Sequence, residues 1–124
     1  MRHRLILLTV LLTACAQPAG TPDSGIDGRT MVDGGCPLAK DAPPCPDKPL
    51  PARIRITAAG TDTTTAETTS DDTGHFRVPL PPGRYTLHPA NLTGHMLPTA
   101  QPQDVEVTAG RYTTVTVPFD SGIR

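Results

Sequence analysis

His75-Phe76-Arg77-Val78-Pro79-Leu80-Pro81-Pro82-Gly83-Arg84-Tyr85-Thr86-Leu87 is the stretch that decides how this chain folds. Phe76, Val78 and Leu80 alternate with His75, Arg77 and Pro79, and Tyr85 and Leu87 resume the pattern against Arg84, Thr86 and His88. A period of two sends alternate side chains to opposite faces of an extended strand, so each run has one apolar and one wet face. Between the runs, Pro81-Pro82-Gly83 fixes φ and then frees it, which is the chemistry of a chain reversal. The stretch reads as two strands joined by a tight turn. Such a hairpin needs a second sheet to cover its apolar face.

The flanking sequence supplies more strands. From Ala52 to Ala58, Ile54 and Ile56 alternate with Arg53 and Arg55, a half-buried strand, and Gly60 and Asp62 turn the chain. Thr63 to Thr69 is almost all Thr and Ala with Glu67, β-prone but poor in apolar residues, and predicts an edge strand facing solvent. Ser70 to Gly74 is a turn of residues that bond their own backbone. Its Asp71 and Asp72 lack the ligand series and terminal Glu of a calcium loop. Val105 and Val107, then Ala109-Gly110, then Val115, Val117 and Phe119 read as a second hairpin. Before all of these, Gly28 to Asp33 predicts a short first strand ended by Gly34-Gly35.

Fifteen prolines and eleven glycines in 124 residues oppose long helices, since proline costs about 3 kcal/mol inside one and glycine about 1. The tally is about seven strands and no helix, which predicts an all-β sandwich of two packed antiparallel sheets. The length allows one domain. Aromatics make up only 3 % and Trp is absent, so the core must be Val, Leu and Ile around Phe76, Tyr85, Tyr112 and Phe119. Tyr85 reads as a core residue with its hydroxyl at the sheet edge, and Gly74 and Gly83 as turn glycines. A formal charge of −1 carries no basic excess, so no nucleic-acid footprint is visible.

The first residues read as an address. Arg2 and Arg4 precede an apolar run from Leu5 to Leu12, too short for a permanent span and suited to a secretory signal. Leu12-Thr13-Ala14-Cys15 resembles the lipobox of bacterial lipoproteins, in which the cysteine is lipidated and becomes the mature N-terminus. That resemblance implies a signal peptide over 1–14 and a lipid (palmitate-type) anchor on Cys15. It also implies a cell-membrane or outer-membrane location facing periplasm or exterior, Ala16 in place of aspartate favouring the outer membrane. Loss of residues 1–14 leaves nine basic against twelve acidic side chains, a mildly acidic mature chain. Ala16 to about Asp27, rich in Pro, Gly, Ser, Thr, Asp and Ala, predicts a flexible tether, with the folded domain over 28–124.

With Cys15 lipidated, Cys36 and Cys45 are the remaining thiols, in an exported compartment and in a proline-rich loop. A structural disulfide between them is the simplest outcome. The spacing is longer than the Cys-x-x-Cys of a redox motif, and a zinc site would need two further ligands.

The 89–102 loop is the longest stretch of the folded part without alternation. Loops on a rigid sandwich carry specificity, so Asn91, His95 and Met96 are the candidate partner-binding residues. Asn91-Leu92-Thr93 matches a glycosylation sequon, which carries little weight beside a bacterial lipobox.

Pro49-Leu50-Pro51-Ala52-Arg53-Ile54-Arg55-Ile56, Asp72-Thr73-Gly74-His75-Phe76-Arg77-Val78 and Leu80-Pro81-Pro82-Gly83-Arg84-Tyr85-Thr86-Leu87 together resemble the carboxypeptidase regulatory-like domains, which share a transthyretin-like (prealbumin-like) β-sandwich. The resemblance covers about residues 28 to 120. It implies an accessory, adhesive or stalk-like module without catalytic residues or cofactor. The catalytic branch of that fold, the hydroxyisourate hydrolases, ends in Tyr-Arg-Gly-Ser, whereas this chain ends Asp120-Ser121-Gly122-Ile123-Arg124. His75, His88 and His95 stand in no nucleophile or metal spacing, although His75 and His88 share the outward parity and would be neighbours across the hairpin.

The expectation is a membrane-anchored, non-catalytic envelope lipoprotein that binds a protein partner, or less favourably a glycan, since few aromatics are spare. A structural spacer without ligand is the alternative. A small enzyme or metal-handling protein built on His75, His88 and His95 is a further one.

Overall fold

The computed structural model describes residues 23–35 and 45–123, which form eight strands and no helix. They are β1 (Gly25–Val32), β2 (Lys48–Pro49), β3 (Ala52–Ala58), β4 (Thr64–Thr69), β5 (His75–Pro79), β6 (Gly83–Asn91), β7 (Gln103–Val107) and β8 (Tyr112–Phe119). The strands lie in two sheets. In the first, β1 pairs with β8 along its whole length, and with β5 and then β2 on its other side. The second runs β4-β3-β6-β7 and is antiparallel throughout. The all-β sandwich expected from the alternation is the observed fold. One pairing is parallel: β8 lies beside β1 in the same direction, from Gly25 opposite Tyr112 to Val32 opposite Phe119.

The alternation assigned faces correctly, but Tyr112, expected in the core, lies on the outer face beneath Arg77, on the parity opposite to Val115 and Val117. Phe76, Val78, Leu80, Tyr85, Leu87, Val105, Val107, Val115, Val117 and Phe119 all enter the core, with Ile54 and Ile56 from β3. β4 pairs only with β3 and is an edge, as its threonines predicted.

Both predicted hairpins are wrong in their pairing. β5 belongs to the first sheet and β6 to the second, so Pro81-Pro82-Gly83 carries the chain from one sheet to the other. The physical reason is that two successive prolines offer no N–H to close a ladder. Leu80 still bonds Ser24, its N–H donating to the Ser24 carbonyl at 2.9 Å, and the crossing follows at once. The Tyr85 hydroxyl fastens the corner by donating to the Pro81 carbonyl at 2.6 Å. In the same way β7 and β8 lie in different sheets. Parity along a strand reports which face is apolar and is silent about which strand lies alongside.

The N-terminal boundary is also corrected. β1 begins at Gly25 and Ile26 is fully buried, so residues 24–27, expected in the tether, belong to the sandwich. The single isoleucine among small polar residues was the missed signal. Burying one such side chain contributes roughly 1.5–3 kcal/mol. Gly25 and Gly28 allow what surrounds them. A Cβ on Gly28 would stand 2.2 Å from the Phe76 ring, and one on Gly25 would stand 2.1 Å from the Val78 carbonyl oxygen.

β6 extends to Asn91, beyond the alternating run, and carries Pro89 inside it. β7 pairs with β6 only from Gly83 to Leu87, so Pro89 lies where one side of the strand is open and a missing donor is tolerated.

A buried hydroxyl pair ties the two sheets. Thr30 Oγ1 of β1 lies 2.7 Å from Ser70 Oγ at the end of β4 and 2.5 Å from the Leu50 carbonyl oxygen. The Ala52 N–H donates to Ser70 Oγ at 2.8 Å. A consistent chain of donors therefore runs from Ala52 through Ser70 and Thr30 to Leu50, and no buried side-chain polar atom among the described residues is left unpaired.

Candidate functional site

β1 and β8 run in the same direction, from the end that holds Ser24, the Pro81–Gly83 corner and the 108–111 turn to the opposite end. At that far end three segments meet: residues 33–35 after β1, the 92–102 loop after β6, and residues 120–123 after β8. The candidate loop is thus carried on the end of the sandwich remote from the N-terminal strand's start.

Asn91 is the loop's fastener. Its Nδ2 donates to the carbonyls of His95 at 3.0 Å and Pro98 at 2.7 Å, and its Oδ1 accepts from the Thr93 N–H at 3.0 Å and the Thr93 hydroxyl at 2.7 Å. The His95 N–H in turn donates to Thr93 Oγ1 at 3.1 Å. Every polar group of the Asn91 side chain is spent inside the loop, so its role is positional. Met96, by contrast, is 91 % exposed. The Leu97–Pro98 peptide is cis.

The tail is held as firmly. Thr99 and Asp120 exchange backbone hydrogen bonds at 3.0 and 2.7 Å. Asp33 accepts from the Ser121 N–H at 2.8 Å, from the Ser121 hydroxyl, and from the Gly35 N–H at 3.0 Å. The Ser121 hydroxyl, with the Ser121 and Gly35 N–H groups, holds the Asp33 carboxyl below its ordinary value. The Leu97 side chain lies over Gly122, where a Cβ would be 2.5 Å from Leu97 Cδ1. Between the loop and the body is a shallow groove of about 260 Å³, lined by Pro89, Asn91, Met96, Pro98, Ala100 and Phe119 among others.

The three histidines are not brought together. His75 lies on the outer face of the first sheet, its Nε2 2.7 Å from Asp27 Oδ1. Asp27 also accepts from Arg77 at 3.1 Å, and the Arg77 guanidinium sits 3.6 Å over the Tyr112 ring. His88 lies on the outer face of the second sheet, 2.9 Å from Thr57 Oγ1. His95 is in the loop. The expected adjacency of His75 and His88 is therefore corrected, because β5 and β6 are in different sheets. No group of three His, Cys, Asp or Glu side chains among the described residues is placed to hold a metal. Asp71 caps its turn, accepting from the Thr73 hydroxyl at 2.6 Å and from the N–H groups of Thr73 and His75.

Cys15 and Cys36 lie outside the described residues, so the lipidation and disulfide readings are not addressed by the fold. Cys45 packs directly against Gly34, where a Cβ would approach the Cys45 Cβ to 2.3 Å. The sequence signals did not point to Leu92, Leu97, Ile123 or Asp33 at this end. A run of uncharged residues from Pro89 to Pro102 was the available one.

No protein-family model matches the sequence, and no curated protein does. Solved structures of similar fold include the minor pilin GBS52 of Streptococcus agalactiae, with a TM-score of 0.55 and 15 % identity over 82 % of this chain and 46 % of that one. The Bacillus anthracis TIE protein gives the same TM-score, identity and coverage of this chain, over 17 % of its own length. The chain spans less than half of either neighbour. At this identity the likeness concerns the fold, a β-sandwich domain.

Proposed function

We propose that this chain is a lipid-held envelope protein whose non-catalytic β-sandwich, of carboxypeptidase regulatory-like type, presents its far end to a protein partner. The observation that carries this reading is the direction of β1. The strand starts at the end facing Cys15 in sequence and delivers the chain to the loop-bearing end eight residues later, about 26 Å at the usual rise. A lipid on Cys15 would hold the base of the sandwich toward the membrane, with nine peptide links to Ser24 reaching at most about 32 Å. The loop end is then the end farther along the chain from the anchor. The neighbours' description as a pilin in one case agrees with a surface-displayed β domain. A disulfide from Cys36 to Cys45 would close the loop that leaves β1 at that same end.

Two measurements test the proposal. Cys15→Ser should move the protein from the membrane to the soluble fraction, and continued retention would refute the anchor. Crosslinking of the full-length protein in its native envelope, read by mass spectrometry, should return one reproducible partner. Recovery of nothing above background would leave a spacer.

A further inference from the structure

All four large apolar side chains that are exposed among the described residues lie at the far end: Leu92 at 50 %, Met96 at 91 %, Leu97 at 49 % and Ile123 at 49 %. From these we infer that this end is a preformed docking surface for a short, uncharged apolar segment of a partner protein. The inference rests on the module reading above and names the partner's chemistry.

The far end is preorganised. Exposed apolar groups on a slack loop would lose much of their binding energy to ordering. Here Asn91 and Thr93 fix the loop from within, the Thr99–Asp120 backbone pair joins it to the tail, and Asp33 fixes the tail. Leu97 lies over Gly122, whose φ of 79° is one that glycine adopts without strain.

Residues 89–102 contain no Asp, Glu, Lys or Arg. Of the carboxylates on the adjoining segments, Asp33 accepts from Ser121 and Gly35, and Asp120 from the Gly122 N–H at 2.8 Å. The loop itself offers no formal charge to a ligand, and a charged segment laid on its apolar side chains would lose solvation without compensation.

Four side chains, three of them half-exposed, make at most a small apolar patch, the kind that on a monomer is often functional. That is well below the roughly 800 Å² per partner of a stable interface between two folded bodies. It suits a short segment that sets one or two side chains in the groove of about 260 Å³ beside Met96.

The test uses the full-length chain carrying Cys15→Ser and a phage-displayed library of random peptides as probe. Enriched peptides should be poor in charged residues. They should shift the methyl resonance of Met96 and leave that of Met31, on the outer face of the first sheet, unmoved. Met96→Asp should weaken binding about tenfold or more, with the fold intact because that side chain is 91 % exposed, and Leu92→Asp should do the same. Charged peptides, shifts at Met31 in place of Met96, or no enrichment would overturn the inference. Self-association lost in Met96→Asp would overturn it in favour of a second copy, and Met96-dependent binding to phosphatidylcholine vesicles in favour of lipid. If peptides fail while envelope crosslinking still returns a partner, this surface is wrong and the module reading stands.

Discussion

Thr30 Oγ1 and Ser70 Oγ lie 2.7 Å apart in the interior, one on each sheet. Thr30 is fully buried and Ser70 nearly so, and their hydroxyls complete a donor chain from the Ala52 N–H to the Leu50 carbonyl. The pair joins β1 to the point where the chain enters β3 and leaves β4. Thr30→Val keeps the shape and removes the link, leaving buried donors and acceptors unmatched. We expect a loss of about 1–3 kcal/mol in urea unfolding. A change within a few tenths would show that the pair is incidental.

The Tyr85 hydroxyl and the Pro81 carbonyl, 2.6 Å apart, fix the corner by which the chain changes sheets. Burial raises the Tyr85 pKa, which keeps the hydroxyl protonated as a donor. Tyr85→Phe should lower stability by about 0.5–1.5 kcal/mol while leaving the circular dichroism spectrum unchanged. An unaltered melting temperature would contradict a fastening role.

Acid should loosen the far end and the 70–74 turn. Asp33 is held below the ordinary 3.8 by the Ser121 hydroxyl and by backbone N–H groups. Asp71 is held below it by the Thr73 hydroxyl, then by the N–H groups of His75 and Thr73. A folded-state value below the unfolded one means that the stabilisation is present above the unfolded value and is lost as the pH falls through the folded one. The melting temperature should therefore drop as the pH is lowered from 5 through 3. Asp33→Asn and Asp71→Asn should each flatten that dependence, and a slope unchanged in both would refute the assignment.

Cys36→Ser should lower stability by about 2–3 kcal/mol under oxidising conditions, the chain-entropy value for closing so short a loop. The effect should vanish in reductant. Equal melting temperatures for the two proteins without reductant would sink the proposed bridge.

How much of this was legible depended on which physical signal each feature leaves. Alternation of period two marked Phe76, Val78, Tyr85 and Leu87 as core, and the threonine run marked β4 as an edge. Both are local properties of a strand. Partner choice is not local, and so the Pro81-Pro82-Gly83 corner looks like a hairpin in sequence and the parallel β1–β8 pair leaves no trace in either strand. Ile26 leaves no such signal, because one apolar residue cannot establish a period. At the candidate site, the loop stood out by lacking alternation, and Met96 proved exposed. Asn91 proved to be its fastener, since hydrogen bonds to His95 and Pro98 depend on a fold of the loop that spacing does not encode. The meeting of Leu97 with Gly122 joins segments that are distant in sequence and required the sandwich to be assembled.

The central claim is that the far end, and not a sheet face or the base, meets the partner. Photo-crosslinking groups placed singly at positions 92, 96, 61 and 114 of the full-length protein, in its native membrane, compare that end with the base and with the outer face of the first sheet. The account predicts one common adduct from 92 and 96 and none from 61 or 114. Adducts from 114 or 61 without any from 92 and 96 would contradict it.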